Sequence, residues 1–463
     1  MRWRDLLSLQ TESPLPTDFF ATPRRVHFIG AGGIGMSALA LLLVARGHIV
    51  SGSDERDGDM TQKLREAGIE IFIGHDAKNV EGADAIFYSS AIPHDNPEWI
   101  AGHEWQIPFY HRSQLMAHIS NKARVSIAVS GTHGKSTTSA MIAHILTETG
   151  HNPTAILGAV YPPFGSNLRI GDPDLVVVEA DESDGSFTLL NSTVAVVLNV
   201  EPEHLENYDE SEDELWRAFK MFAGNAKYSV LNQGDVSYQR LKTVSREVHP
   251  YNFSAMQVIA DNMARWLPVP GAHNRSNALG ALKACECVEI REWGNDKDQG
   301  LFAALVNPLL TFAGTLRRFE RKGEASGVLV YDDYGHHPTE VKATLEAARE
   351  FLNRPIVVVF QPHRYSRTQA LYREFGEAFG AAERVIITQL YSAHEEPIEG
   401  VSGRLVYDEV RANNADKPVF YAETLDEALA LVLDNVKSGD AVLTMGAGTV
   451  TTLGARILAG LGG

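Results

Sequence analysis

Cysteine is almost absent from this chain. Only Cys285 and Cys287 occur among its 463 residues. Separated by one position, they make neither a disulfide framework nor a zinc ligand set. They fit a reducing compartment, the cytoplasm, with both thiols packed in a helix as small hydrophobes. Positive charge is also in deficit, with 41 Lys and Arg against 59 Asp and Glu and a net charge of −18. Wrapping DNA or RNA needs basic surface to displace counterions, so a nucleic-acid partner is not expected. A small anionic ligand needs only a locally positive pocket. Long apolar runs are missing as well: the densest, ALALLLVA at 38–45, falls far short of the roughly 20 residues that cross a bilayer. The opening MRWRDLLSLQ has no apolar stretch of signal-peptide length before Thr11 and Glu12, and residues 1–23 read as a surface tail. Short-period repeats and low-complexity tracts are lacking.

What is present is an ordinary globular composition, 44% hydrophobic and 22% charged, in a chain too long for one core, so that roughly two to four domains are expected. Short β-branched runs alternate with helical patterns, the signature of parallel sheets flanked by helices. One series starts at RVHFIG (25–30), a second at ARVSIAVS (123–130) and a third near Leu316. The later runs LVVVEADE (175–182), VAVVLNVE (194–201), VLVYDD (328–333), PIVVVFQP (355–362), RVIITQL (384–390) and AVLTMGAGT (441–449) continue the pattern. The joints fall near 120–124 and 308–315.

Two glycine loops follow strands and open helices. In GAGGIGMS (30–37), Gly30, Gly32 and Gly35 stand in G-x-G-x-x-G register, and Asp54 closes the next strand where a ribose hydroxyl can be held. Such a loop lets backbone approach phosphate oxygens at the positive end of a helix. By itself it admits a dinucleotide such as NAD, a nucleotide-sugar diphosphate or a merely structural turn.

The second loop, GTHGKSTT (131–138), meets the G-K-[ST] end of a phosphate-binding loop at Gly134, Lys135 and Ser136, but Val129 occupies the place of the first glycine. Strand, loop and helix are in the required order. The predicted helix over 136–149 puts Met141, Ile142, Ile145 and Leu146 on one face. Lys135 can reach β- and γ-phosphates and Ser136 can bind Mg²⁺. Glu179, Asp181, Glu182 and Asp184 end a neighbouring strand, and hard carboxylate oxygens suit Mg²⁺. Asn199, Glu201, Glu203 and His204 fall at the same edge. Further on, HNRSN (273–277) offers amides suited to an adenine edge, and DDYGHHP (332–338) forms a loop where a small substrate can sit. Arg364 and Arg367 are spaced to clamp one carboxylate.

Together these segments resemble the Mur ligases over nearly all of residues 24–463. The motifs that carry the likeness are GAGGIGMS, GTHGKSTT, EADESDGSF, NVEPEH, PGAHNRSNA, GTLRRFE, DDYGHHPTE, FQPHRYSRT and the late GAG. In that family the shortened phosphate loop is normal. The resemblance implies an α/β chain with a tail at 1–23 and a Rossmann-like UDP-sugar domain at 24–121. A central P-loop ATPase-like parallel sheet follows at 122–310, and a Rossmann-like amino-acid domain at 311–463. It implies ATP bound by Gly131, Thr132, Gly134, Lys135, Ser136 and Thr137, with adenine held by His273, Asn274 and Asn277 and the nucleotide reached by Arg318 and Asp333. Two Mg²⁺ ions are implied, one on Ser136 and Glu179, the other on His204. The sugar nucleotide falls to Gly30, Gly32, Gly33, Ile34, Gly35, Met36, Ser37, Asp54, Ser89, Ser90 and His133. Tyr334, His336, Arg364 and Arg367 line the amino-acid pocket.

The implied substrates are UDP-N-acetylmuramate and L-alanine, joined through an acyl phosphate in peptidoglycan precursor synthesis. Lys135, Glu179, His204 and Asp333 serve the phosphoryl step and His336 acts as base. Closure of the third domain on the second is implied, with the oligomeric state open between monomer and weak dimer. Three departures accompany the likeness. Asn232 to Gly271 is short, Glu-Pro-Glu-His replaces Glu-Ala-Asp-His, and HNPTAILGAVYPPFGSN (151–167) lacks a Gly-Gly pair. The alternatives are a recycling ligase that attaches a tripeptide to the same sugar nucleotide, an NAD-dependent oxidoreductase, and a non-catalytic nucleotide-binding module.

Overall fold

A computed structural model describes residues 3–252, 267–295, 299–393 and 395–462. The chain builds three α/β domains on three sheets. The first sheet is wholly parallel and comprises β1 (Arg25–Ile29), β2 (Ile49–Asp54), β3 (Glu70–Ile73), β4 (Ala85–Tyr88) and β5 (Phe109–His111), in the order β3-β2-β1-β4-β5. The second contains β6 (Val125–Ser130), β7 (Pro153–Tyr161), β8 (Ser166–Arg169), β9 (Asp172–Glu179), β10 (Val194–Val197), β11 (Tyr228–Asn232) and β12 (Val248–Tyr251), ordered β12-β11-β10-β6-β9-β7-β8. The third contains β13 (Glu320–Ala325), β14 (Val328–Asp333), β15 (Ile356–Phe360), β16 (Arg384–Thr388), β17 (Val419–Ala422) and β18 (Ala441–Met445), ordered β13-β14-β18-β15-β16-β17.

Central strands are continuous apolar runs because helices cover both faces. Every residue of β6, β14, β15 and β18 is buried. The expected parallel order holds except at two edges, where β8 pairs antiparallel with β7 and β13 with β14. These are hairpin partners joined by short turns, a geometry that parallel neighbours cannot adopt.

The described residues divide into two compact units, one running through 3–252 and 276–312, the other through 267–275 and 313–462. In the first, a single apolar core joins residues of the first two sheets, from Val26 and Phe28 to Val178, Val197 and Phe219. In the second, the third sheet carries one core on each face, around Phe360 and around Ile457.

One expectation is corrected here. Residues 3–23 are not a surface tail. Trp3–Glu12 is a helix, Trp3 is 3% exposed, and Phe19 is buried against Tyr110 at 5.8 Å between ring centroids. Gln114 Nε2 donates to Ser13 O at 2.9 Å and Arg4 pairs with Glu214 at 2.7 Å. Lone aromatics between polar residues have no periodicity to betray this docking. The helix Lys135–Glu148 likewise has no wet face, because every residue from Ser136 to Leu146 is buried. Small Ser, Thr and Ala residues let neighbours close over the side opposite Met141, Ile142, Ile145 and Leu146. Cys285 and Cys287 lie buried in the helix Ala272–Arg291, and burial pushes the Cys287 thiol up to about 12. Of the short segment from Asn232 to Gly271, residues 253–266 lie outside the described residues.

Candidate functional site

In each sheet the motif residues gather where parallel strands end. In the second sheet, register pairs Val129 with Glu179 and Ser130 with Val197, so that β6, β9 and β10 deliver their loops to one edge. The phosphate-type loop leaves β6 with Gly131 at φ 140° and Gly134 at φ 87°, where a Cβ would come within 2.4 Å of Asn277 Oδ1. Asn199 pins the loop from the next strand. Its Oδ1 accepts the His133 N–H at 2.8 Å, its Nδ2 donates to His133 O at 3.1 Å, and its backbone O accepts the Thr132 N–H at 3.1 Å. Thr132 Oγ1 accepts the Glu201 N–H at 2.8 Å. Ser136 and Thr137 follow as the buried first turn of the helix.

Lys135 is the charge centre of this edge. Its Nζ donates to Gly131 O at 2.8 Å and Thr132 O at 3.1 Å, and it pairs with Glu182 at 2.8 Å. Burial works to lower its pKa, but Glu182, Asp181 and Glu179 outweigh that and hold it charged above the ordinary lysine range. Burial, with Asp181 beside it, pushes Glu182 up, while Lys135 pulls it down; the direct contact fixes an ionised pair. Asp181 is lowered to about 2: burial opposes the shift, and Lys135 and Arg112 impose it. His204 lies within electrostatic reach of both Asp181 and Glu182. It adopts φ 57°, ψ 29°, a left-handed conformation uncommon outside glycine. Thus Lys135, Glu179 and His204 share one edge, as the sequence reading requires.

The carboxylates Glu179, Asp181, Glu182 and Asp184 face the permanent cations Lys135 and Arg112 across this edge. That surplus of hard anionic oxygen is donor chemistry that suits a divalent cation such as Mg²⁺. Two residues of this edge escaped the sequence. Gly158, one glycine within β7, donates its N–H to Glu179 Oε2 at 2.9 Å, and a Cβ there would lie 2.2 Å from the carboxylate. Arg112, just after β5, reaches Asp181 at 3.6 Å and Asp184 at 3.4 Å, and its Nη1 lies 2.9 Å from a Cβ built on Gly35. A lone glycine in a strand and a lone arginine after one carry no motif.

The first glycine loop closes on β2. Gly30 and Ala31 donate to Ser53 O at 2.9 and 2.8 Å, and Gly32 donates to Asp54 Oδ2 at 2.9 Å. Asp54 Oδ1 accepts the Arg56 N–H at 3.2 Å, so this carboxylate also shapes the loop. Gly33 caps the helix Ile34–Ala45. Ile34 is exposed, whereas Met36 and Ser37 are buried, and Ser37 Oγ donates to Ile34 O; the side chains of Met36 and Ser37 belong to the core. Ser89 and Ser90 follow β4. Ser90 Oγ contacts His111 Nε2 at 3.0 Å and Asp184 at 3.4 Å, linking the first sheet's edge to the acidic loop. His111 is fully buried, and desolvation lowers it to about 4. Beneath the loop, buried Glu98 accepts from Ser53 Oγ at 2.5 Å and Asn79 Nδ2 at 2.6 Å and lies 3.2 Å from His75 Nδ1 and 3.6 Å from His27 Nε2.

The second unit carries the remaining residues. Register aligns Asp333, Met445 and Phe360 across β14, β18 and β15. Asp333 accepts from the backbone N–H groups of Phe319 at 2.8 Å and Gly335 at 2.7 Å. Burial raises it to about 6 against the pull of Arg318. Arg317 and Arg318 lie over the Tyr334 ring at 4.8 and 5.1 Å. Tyr334 meets His336 edge-on at 5.2 Å, and His336 lies 5.7 Å from His363, whose Nδ1 is 3.4 Å from Arg367 Nη1. His336 Nδ1 sits 3.0 Å from Tyr334 O and must donate to it, which leaves Nε2 with the lone pair. Burial holds His336 neutral, well below the ordinary histidine range. Arg364 is held at φ 71° and lies 4.0 Å from Glu395. Tyr334, His336 and Arg367 therefore form one cluster, joined by His363, which the sequence reading passed over. His273 and Asn274 start the helix Ala272–Arg291, with Asn274 Nδ2 on Pro270 O at 2.7 Å. No helix among the described residues is long and apolar enough to cross a membrane.

Three family models match the chain: "Mur ligase family, catalytic domain" at residues 25–124, "Mur ligase middle domain" at 129–285 and "Mur ligase, glutamate ligase domain" at 317–448. The UDP-N-acetylmuramate–L-alanine ligase of Symbiobacterium thermophilum is 41% identical, over 94% of this chain and 94% of that one. The ligase of the same name from Desulfosudis oleivorans is 39% identical, over 94% of this chain and 98% of its own. Among solved structures, the UDP-N-acetylmuramate–alanine ligase of Thermotoga maritima superposes with a TM-score of 0.77 at 27% identity, covering 94% of this chain and 98% of that one. A murein peptide ligase from Psychrobacter arcticus shares the fold, with a TM-score of 0.67 at 22% identity over 95% and 99% of the two chains.

Proposed function

The chain belongs to the Mur ligase family, and on that premise we propose that it joins L-alanine to the lactyl carboxylate of UDP-N-acetylmuramate at the expense of ATP. The observation that carries this is the edge where Lys135, the acidic loop from Glu179 to Asp184, and His204 meet beside a pinned phosphate-type loop. A ligase needs positive charge there, since each of its first two reactants is an anion; Lys135 supplies one such charge, and the acidic loop would recruit divalent cations for the rest.

The sugar nucleotide's diphosphate lies against Gly30–Gly35, and its lactyl carboxylate points toward Lys135. A carboxylate oxygen attacks the γ-phosphorus of ATP, ADP departs, and an acyl phosphate remains. The amine of alanine then attacks the carbonyl carbon and inorganic phosphate leaves. Lys135 stabilises the oxygens of the phosphoryl group in transit. Ser136 and Glu179 would hold one Mg²⁺ and His204 a second; bound there, such ions neutralise phosphate charge. In the amino-acid pocket, Arg364 and Arg367 receive the alanine carboxylate, and Nε2 of His336 accepts the proton that the alanine ammonium must lose. The nucleotide substrates place the reaction in the cytoplasm, at the entry to peptidoglycan precursor synthesis.

The test is phosphate release from ATP with UDP-N-acetylmuramate and each candidate amine. Release is expected with L-alanine. Release with the tripeptide alone would transfer the assignment to the recycling ligase.

A further inference from the structure

We infer that the N-terminal helix is part of the nucleotide site, with Trp3 a positioning residue that acts on Lys135 through Tyr208, Gly185 and the acidic loop. The inference rests on the reading of Lys135 as the phosphate-binding lysine.

A continuous chain of contacts leads there. Trp3, 3% exposed, lies 6.3 Å from the fully buried Tyr208, ring centroid to ring centroid. The Tyr208 hydroxyl donates to the backbone oxygen of Glu182, and Asn207 Nδ2 donates to Ser183 O at 2.9 Å. Two successive peptide groups of the acidic loop are thereby tied to the turn Leu205–Asn207, whose cap is His204. Glu182 in turn grips Lys135 at 2.8 Å. The helix also rests directly on the loop: a Cβ built on Gly185 would fall 2.2 Å from Trp3 Cβ. A second tether, Arg4 to Glu214 at 2.7 Å, fixes the same helix to the helix Glu212–Asn225.

Removing the indole would open a cavity beside Tyr208, and the loop backbone that Tyr208 holds is what can relax into it. Glu182 and His204 would then lose their common register, while the alanine pocket, built from the other unit, has no contact in this chain of residues. Trp3 Nε1 is buried without a hydrogen-bond partner among the described residues, so the ring acts by packing alone. Phenylalanine should therefore replace it.

The experiment compares W3A, W3F and Y208F in the full chain, measuring ADP affinity by calorimetry, KM for ATP and for L-alanine, and the thermal midpoint. W3A and Y208F are expected to weaken ADP binding and raise the ATP KM about fivefold to tenfold, the equivalent of one lost hydrogen bond. The alanine KM should stay within about twofold, and W3F should restore ADP affinity to within about twofold. An unchanged ADP affinity in Y208F, or KM values for ATP and alanine rising together, overturns the inference. Should W3A not fold, Y208F, which loses one oxygen atom, decides alone. Should the wild type release no phosphate with alanine, the functional assignment falls, and the ADP arm still tests the inference.

Discussion

The carboxylate of Glu179 occupies the space that any side chain at residue 158 would need, 2.2 Å from where a Cβ would stand, while the Gly158 N–H holds one of its oxygens at 2.9 Å. The glycine in β7 thus sets the position of an acid two strand ends away from chain continuity. Gly158→Ala should drive Glu179 off the edge and lower kcat at least about tenfold, with the melting temperature nearly unchanged. An alanine variant with wild-type kcat would show that the carboxylate need not sit there.

Lys135→Ala should abolish phosphate release, by on the order of a thousandfold. It should also destabilise the fold by about 3 kcal/mol, because Glu182 is left buried without its partner. The double variant K135M/E182Q separates the two effects: stability should return and activity should not. Turnover recovering along with stability would remove Lys135 from the phosphoryl step.

Arg367 shares a cluster with His363 and His336, and the proposed reading gives it the amino-acid carboxylate. Arg367→Ala is expected to raise the alanine KM at least about tenfold and leave the KM for ATP unaltered. A constant alanine KM would relocate the pocket.

His111 gives a pH dependence with a definite sign. Burial lowers its pKa from 6.5 to about 4, so the unfolded chain takes up its proton first. The contribution to stability is fully present above pH 6.5 and is lost as pH falls toward 4, worth about 3 kcal/mol in all. The melting temperature should fall across that window more steeply in the wild type than in His111→Gln; equal slopes would refute the assignment.

Glu98 tests the support beneath the first glycine loop. It bonds Ser53, whose backbone oxygen receives the Gly30 and Ala31 N–H groups. Glu98→Ala should cost about 3 kcal/mol by stranding the polar groups of Asn79 and the histidines. UDP-sugar binding should weaken with it; if denaturant titration shows no loss of stability, this network carries nothing.

Much of this was legible in residues because apolar runs such as VSIAVS and IVVVF end in chemistry-bearing loops, and parallel strands must bring those ends together. The glycine-lysine loop and the acidic run stand out by local spacing, and the fold brings both to one strand edge. Gly158, Arg112, Tyr208 and Trp3 do not stand out, since each acts across a long stretch of sequence on a partner that only the fold supplies. Ser37 misled for the reverse reason. Its residue type suits a ligand, but its hydroxyl is buried and held by the backbone of its own helix.

The helix behind the phosphate loop has no wet side from Ser136 to Leu146. Packed on every side, it has little free space to tilt or slide into, so adaptation to a ligand is expected first in the loops around it. Its amide hydrogens should exchange with deuterium only when the whole unit opens, and at the same rate whether or not ADP is bound once the gain in global stability is subtracted.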